Sequence, residues 1–490
     1  MERGLLPYIL IPLLSAIAIP FFARKTPRIA DIIANVTLFT GLANLCYFLF
    51  SPANLADAFA SMPGDGFSTL MVFTIYLVAL CVAFFSSFFT VPMSNRQAYF
   101  SLIMISVAAM CGVVTTSDFF TLYIYAEVLA VTSFALITTE DLPAAEETNA
   151  PRRARVCAGL EGAIKYFLLT FPASVAIIVG LALLLLSVGS FSFESVMLFM
   201  SAGTPNGTAL FAIGLILLGF LIKGGVVPFH VWVPDAYQGA FSPVSIHLAG
   251  IVTKVSGIYA VIRISMLMRF TEGKAEMLAE TLMFLGMLSI AVGAIAALRQ
   301  KNLKRMLAFS SISQLGYIAL AAGLGTPLAI IAAIFHLFNH ATFKTVLFLN
   351  SASLEQAAGT SDMDKLGAME HSMPWTSWTS VIALLSTAGI PPLSGFWSKL
   401  LIIVALWAGG AEVYAFLALL FSIVTLAYFM VMQRKIFFGK KTAAAGTASE
   451  VGAPMLAPAV LMCAVIVAVG LLFPWFYTYL VETIAKRMIL

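Results

Sequence analysis

Apolar residues run in long blocks along this chain, and most charged residues fall in the short gaps between them. A bilayer core takes roughly 20 apolar residues per helix. Reading the runs between glycine, proline and charged breaks predicts fourteen spans. They lie near 6–22, 30–50, 69–90, 98–116, 118–139, 158–187, 207–227, 243–268, 277–298, 306–325, 327–352, 376–408 (interrupted), 412–433 and 455–480. The first run ends at Arg24-Lys25 without a small-residue cleavage site, so it reads as a retained helix and not as a signal peptide. The pattern therefore predicts an all-α polytopic membrane protein.

Composition agrees with this pattern. Hydrophobic residues make up 61% of the 490 and charged residues only 10%, whereas a soluble domain carries about 25% charged residues. The 27 basic and 23 acidic side chains cannot build a water-facing surface for a chain of this length. A soluble enzyme, a disordered protein and a nucleic-acid-binding domain are all disfavoured. The net charge of +4 is too small to point to a polyanionic partner. The five cysteines (Cys46, Cys81, Cys111, Cys157 and Cys463) include no CxxC, so no disulfide framework or iron–sulfur site is indicated.

Basic residues set the orientation. The odd-numbered loops hold sixteen, in groups such as Arg152, Arg153, Arg155 and Arg299, Lys301, Lys304, Arg305. The other side holds five: Arg3, Arg269, Lys274, Lys486 and Arg487. This predicts odd loops in the cytoplasm and both termini outside. The remaining six, Lys165, Lys223, Lys254, Arg263, Lys344 and Lys399, fall within predicted spans.

An ionisable residue at membrane depth is costly, so it marks an ion path or a partner. Glu127 lies near the middle of its span in TLYIYAEVLAVTSFALI, with no basic neighbour in sequence, so its partner must come from another helix. A static pair locking two helices is the plainer alternative. Lys223 stands in LGFLIKGGVVPFHVWVPDA, where two glycines and Pro228 predict a broken helix. A second break is predicted at GIPPLSGFWSKLLII, just before Lys399. Broken helices occur at membrane depth where they line a cavity or are buried in protein. Two of them in corresponding halves of a chain suggest inverted repeats. The predicted organisation is N-terminal helices over 1–97, a first half over 98–268, a second over 277–433 and a C-terminal helix over 455–490.

Lys254 and His247 are seven residues apart and share a helix face, while His336, His340 and Lys344 form one stripe at i, i+4, i+8. Histidine titrates near neutral pH and can relay protons. With Lys223, Lys254 and Lys399 on other helices, a proton relay is the stronger reading than polar glue between helices. Weaker expectations attach to other residues. Glu161 and Lys165 read as an interfacial i,i+4 pair, Arg263 as a snorkelling side chain, and Asp118 as a helix cap or outer-mouth residue. His230 and Asp235 would serve ion entry or hold the loop after the first break, and His371 reads as an ordinary loop residue.

Five ordered motifs carry a family resemblance. They are AEVL around Glu127, FLIKGGVVPFHVWVPDAYQGAFSPVS, LRQKNLKRMLAFSSISQLGY, HLFNHATFKTVLFL and GIPPLSGFWSK. Together, over roughly residues 98–435, the chain resembles the antiporter-like subunits shared by respiratory complex I, membrane-bound hydrogenases and Mrp-type Na⁺/H⁺ antiporters. The resemblance implies that Glu127 and Lys223 form an ion pair whose opening and closing shifts the lysine's proton affinity. It implies Lys254 as central relay lysine, His336 and His340 as connecting groups, and Lys399 as the terminal lysine towards the outside. Two positions depart from the pattern: Ala126 replaces a bulky aromatic, and the usual Ala-Pro-Thr-Pro reads Ala-Phe-Ser-Pro at Ala240 to Pro243. The chain ends at Leu490, shortly after the last span, without the long lateral helix of the largest subunit type, which points to a shorter subunit.

The expected function is proton or sodium translocation within a redox-driven membrane complex, the alternative being a subunit of an Mrp-type antiporter. Expected partners are other membrane subunits, with a peripheral redox arm in the first case, in a cell (inner) membrane. A b-type haem held by His336 and His340 is disfavoured because both lie on one helix face. A non-conducting scaffold is a third alternative. No dinucleotide fingerprint, phosphate loop or metal-binding cysteine cluster is present, so no cofactor is expected in this chain.

Overall fold

The computed structural model describes residues 5–24, 26–50, 66–89, 95–139, 150–202, 207–269 and 275–481 (backbone only at 48–50, 150–155, 443 and 444). The residues Arg3, Lys25, Lys274, Lys486 and Arg487 used for orientation lie outside these, as do positions 482–490 of the C-terminal segment.

The described chain is helical. Helices α1 (Pro7–Phe22), α2 (Arg28–Phe50), α3 (Gly66–Phe88), α4 (Arg96–Thr115), α5 (Phe119–Ile137), α6 (Ala150–Val188) and the short α7 (Phe193–Ser201) come first. A broken pair follows, α8 (Gly207–Lys223) and α9 (Trp232–Gly239). Next come α10 (Ser242–Met268), α11 (Glu276–Leu298), α12 (Leu303–Leu324) and α13 (Pro327–Ala358). The second broken pair is α14 (Pro374–Ala388) and α15 (Ser394–Ala408), followed by α16 (Glu412–Ile436), α17 (Ala453–Leu471) and α18 (Phe473–Leu480). Among the described residues, eleven helices are long and apolar enough to cross a bilayer, and α1, α8 and α15 are shorter apolar ones.

The distribution of polarity is inverted relative to a water-soluble protein. Phe21, Leu186 and Val413 are exposed on the outside, while lysines and histidines are enclosed. Lipid gains nothing from burying apolar groups, so helices associate through close packing and interior polar contacts. Gly286 of α11 and Gly316 of α12 allow one such close approach: a Cβ at Gly316 would sit 2.5 Å from the Gly286 carbonyl oxygen. At the centre lies α13, buried along its crossing window and packed by α3, α10, α12, α14, α15 and α17.

Both predicted breaks form, and their freed backbone groups find side-chain partners, as membrane depth requires. Helix α8 ends at Lys223, four residues before its predicted end, because Gly225 turns with φ +68°. A Cβ there would meet Val233 at 2.4 Å. The Trp232 indole then donates back to the Ile222 carbonyl at 3.2 Å, and Ser289 of α11 accepts from the Val227 amide at 2.9 Å. At the second break Gly389 has φ +86°. Ser422 of α16 donates to the Ala388 carbonyl at 2.9 Å, and Ser386 accepts from the Gly395 amide at 3.1 Å. Helix α10 contains two π-helical stretches, Leu248–Val252 and Lys254–Ile258, a geometry frequent at functional sites. Helix α13 runs past the predicted residue 352 to Ala358, which brings Glu355 into the helix.

Candidate functional site

Glu127 of α5 and Lys223 at the end of α8 meet. Lys223 Nζ lies 2.9 Å from Glu127 Oε1, with the lysine 2% exposed and the carboxylate 30%. Ser174 of α6 donates to the same oxygen at 2.6 Å. The partner demanded by the isolated carboxylate is thus the lysine beside the first break. Ending α8 at Gly224 and Gly225 leaves Lys223 in its last turn, where a cation is favoured by the helix dipole.

Lys254 and His247 are fully buried in α10. Lys254 donates to the Ala249 carbonyl five residues back, which the π-helical stretch makes reachable. His247 Nε2 lies 2.6 Å from Ser106 Oγ of α4. The stripe on α13 is also fully buried. Lys344 Nζ contacts Ser310 Oγ and the Leu307 carbonyl (3.0 Å), both on α12. His336 Nδ1 lies 2.9 Å from Ser398 Oγ of α15, and both ring nitrogens of His340 lack a hydrogen-bond partner. Lys399 follows Ser398, reaches Ser422 Oγ at 3.3 Å, and lies 4.9 Å from the ring centre of Tyr317. Among the described residues no carboxylate pairs with Lys254, Lys344 or Lys399.

The remaining sequence candidates sit at the edges. Asp235 of α9 is clamped between Lys165 of α6 (2.6 Å) and Arg305 of α12, while Lys165 also reaches Glu161 at 2.5 Å. His230 stands in the single 3₁₀ turn after the first break, its ring beside Phe309. Asp118 caps α5 through the Thr121 amide at 2.7 Å. Arg263 finds partners within the fold: its guanidinium bonds Tyr259 and Ser68 at 2.8 Å each and lies over the Phe67 ring.

Two groups were not legible beforehand. Ser174 carries no local signal, since only the approach of α6 to α5 gives it Glu127. Lys304, counted among loop basics, is 4% exposed and pairs with Glu355 at 2.7 Å, and Ser242 bonds both (2.7 Å to the lysine, 2.6 Å to the carboxylate). Its signal was the eleven-residue spacing from Lys344 to Glu355, which sets both on one face of α13. Among the described residues no group of three or more His, Cys, Asp or Glu could hold a metal ion.

The arrangement is a series of buried lysines and histidines on α8, α10, α13 and α15, opening with one ion pair beside a helix break. Residues 116–426 match the family model described as NADH:quinone oxidoreductase/Mrp antiporter, transmembrane. The chain belongs to this family. It is 29% identical over 408 residues (83% of this chain, 79% of the relative) to a Na(+)/H(+) antiporter subunit of Alkalihalophilus pseudofirmus. It is 30% identical over 398 residues (79% and 77%) to an NADH-quinone oxidoreductase subunit of Laribacter hongkongensis. Against longer Na(+)/H(+) antiporter subunits of Alkalihalophilus pseudofirmus and Staphylococcus haemolyticus, the chain spans about half of the relative's length. Its fold is similar to a chain of the membrane-bound sulfane sulfur reductase, an archaeal respiratory membrane complex, with a TM-score of 0.85, 25% identity and coverage of 99% of this chain and 97% of that one. Within the family framework, the matched segment contains every candidate residue from Glu127 to Lys399.

Proposed function

We propose that this chain is an ion-translocating subunit of a multisubunit membrane complex, moving protons or sodium through the buried series from Glu127–Lys223 to Lys399. The observation that carries this reading is that Lys223, Lys254, Lys344 and Lys399 are enclosed on four different helices, and that of these four only Lys223 has a carboxylate partner among the described residues. Charge held at such depth is costly and is retained where it is used. We further read the fold as fourteen spans, the two broken helices belonging to an inverted repeat of residues 98–268 and 277–433. Both termini then lie on the outer side of a cell membrane.

In this reading the Glu127 carboxylate stabilises the Lys223 ammonium. Separating them favours release of the proton towards Lys254. His336, His340 and Lys344 carry charge across the second half, and Lys399 passes it outwards. One pKa unit corresponds to about 1.4 kcal/mol, and one charge crossing 100 mV to about 2.3 kcal/mol, so a modest change at the pair suffices. No redox centre is assigned to this chain.

A redox-driven complex and an ion-gradient-driven antiporter both accommodate the site, since similarity to the oxidoreductase relative and to the antiporter relative is nearly equal. Copurifying subunits distinguish them: a peripheral redox arm in the first case, small membrane subunits alone in the second. The test of the site is ion uptake by the reconstituted complex carrying Lys223→Ala or Glu127→Ala. Loss of at least tenfold is expected, and uptake at the unsubstituted rate overturns the assignment.

A further inference from the structure

Lys399 is held differently from Lys223. A carboxylate fixes Lys223 at 2.9 Å, whereas Lys399 meets the Ser422 hydroxyl at 3.3 Å and the Tyr317 ring, centred 4.9 Å away. Its stem runs over the second break, where a Cβ at Gly389 would sit 3.1 Å from Lys399 Cδ. Contacts of this kind leave the aim of the ammonium to the rotation of α15 about its own axis.

The contact that fixes this rotation lies two residues earlier. Successive residues on a helix are about 100° apart, so Trp397 stands roughly 200° around α15 from Lys399. There it meets the end of α17 and the start of α18. The Trp397 and Phe473 rings are stacked, 3° from parallel with centroids 4.4 Å apart. The Trp397 indole also donates to the Gly470 carbonyl at 2.9 Å. That carbonyl lacks its usual helical donor, because residue 474 is a proline and has no N–H. Gly470 permits the approach: a Cβ there would lie 2.3 Å from the Pro392 carbonyl oxygen and 2.7 Å from the Ser394 amide nitrogen. Phe473 in turn stacks on Phe335 of α13, with centroids 5.7 Å apart, which ties the contact to the central helix.

We propose that Trp397 is a positioning residue for Lys399: by joining α15 to the α17–α18 junction, it sets the rotation that aims the ammonium at Ser422 and Tyr317. The inference rests on the relay reading above, in which Lys399 passes charge outwards. At membrane depth the Gly470 carbonyl has no water to bond instead, so the indole holds it firmly. The indole carries a single donor, and its ring is held flat against Phe473, so both contacts are made together at one rotation of α15. Ser398, between the two residues, reaches His336 at 2.9 Å. The same rotation therefore sets the contact between α15 and the histidine stripe.

The test is ion uptake per assembled complex after reconstitution, with thermal unfolding of the same preparation, for Trp397→Leu, Trp397→Leu/Pro474→Ala and Lys399→Ala. Trp397→Leu is expected to slow uptake roughly tenfold, since misplacing a reacting group by about 1 Å can cost more than that. It is also expected to move the pH of half-maximal uptake, because the ammonium changes neighbours. The titratable groups around it are Tyr317 of α12 and His336 and Lys344 of α13. Pro474→Ala gives the orphaned carbonyl a helical N–H, so the double variant is expected to regain unfolding temperature without regaining uptake. Uptake at the unsubstituted rate in Trp397→Leu overturns the proposal, as does an unmoved pH profile. Recovery of uptake together with stability in the double variant also overturns it, by reducing Trp397 to the partner of a carbonyl. The double variant decides if the leucine variant does not assemble. If Lys399→Ala also transports normally, the relay reading falls and this inference with it. If only Lys399→Ala is impaired, the relay stands and the positioning role alone is wrong.

Discussion

Ser174 and Lys223 bond the same oxygen of Glu127, so in the proposed relay the hydroxyl would tune the charge that acts on the lysine. A hydrogen bond to a charged group contributes about 1.5–3 kcal/mol. The carboxylate is 30% exposed, which favours the lower end. Ser174→Ala is expected to slow ion uptake by roughly tenfold, since each 1.4 kcal/mol is a factor of ten, and to do less damage than Lys223→Ala. A Ser174→Ala complex as fast as the unsubstituted one would show that the hydroxyl is incidental. At this scale Glu127 and the lysines were legible because charge is rare in apolar runs. Ser174 was not, because neutral polar residues are common in such runs and gain meaning only from what faces them.

Three helices are fastened at one end of the molecule by Lys304, Glu355 and Ser242, which begin α12, end α13 and begin α10. These are the helices that carry Ser310, the His336–Lys344 stripe and Lys254. Removing one member of a buried ion pair leaves the other uncompensated, a loss of about 3–5 kcal/mol, whereas replacing both with apolar groups is often neutral. Glu355 is one-fifth exposed, so Lys304→Met is expected to destabilise by about 2–3 kcal/mol. The double variant Lys304→Met/Glu355→Leu should recover most of that. Thermal unfolding of the detergent-solubilised complex measures both, and a double variant as unstable as the single one would contradict the pairing. The sequence located helix bodies and both breaks well at this scale, but placed Lys304 and Glu355 outside their helices, because a basic cluster looks like a loop.

For the whole molecule, the proposed orientation, read from the basic-residue bias, would set the 434–441 loop in the cytoplasm and the opposite end of α16 outside. Glu412, at the start of this candidate span, and Lys440, just beyond its end at Ile436, are both exposed. In a background with the five cysteines replaced, an impermeant maleimide should label Lys440→Cys only from the cytoplasmic side and Glu412→Cys only from the outer side. The reverse result inverts the orientation, and labelling of both from one side removes α16 as a span.

By itself the sequence determined the membrane class, the succession of helices, the two breaks and the ionisable residues placed at depth. Each follows from local quantities: run length, the backbone chemistry of glycine and proline, and the high free energy of charge in hydrocarbon. Only the tertiary structure decided that Lys223 is the partner of Glu127 and that Lys254, Lys344 and Lys399 meet hydroxyls, carbonyls or rings instead of carboxylates. Those facts depend on helix register and rotation, which are set by small-residue contacts such as Gly286 against Gly316 and by backbone groups that must be satisfied without water.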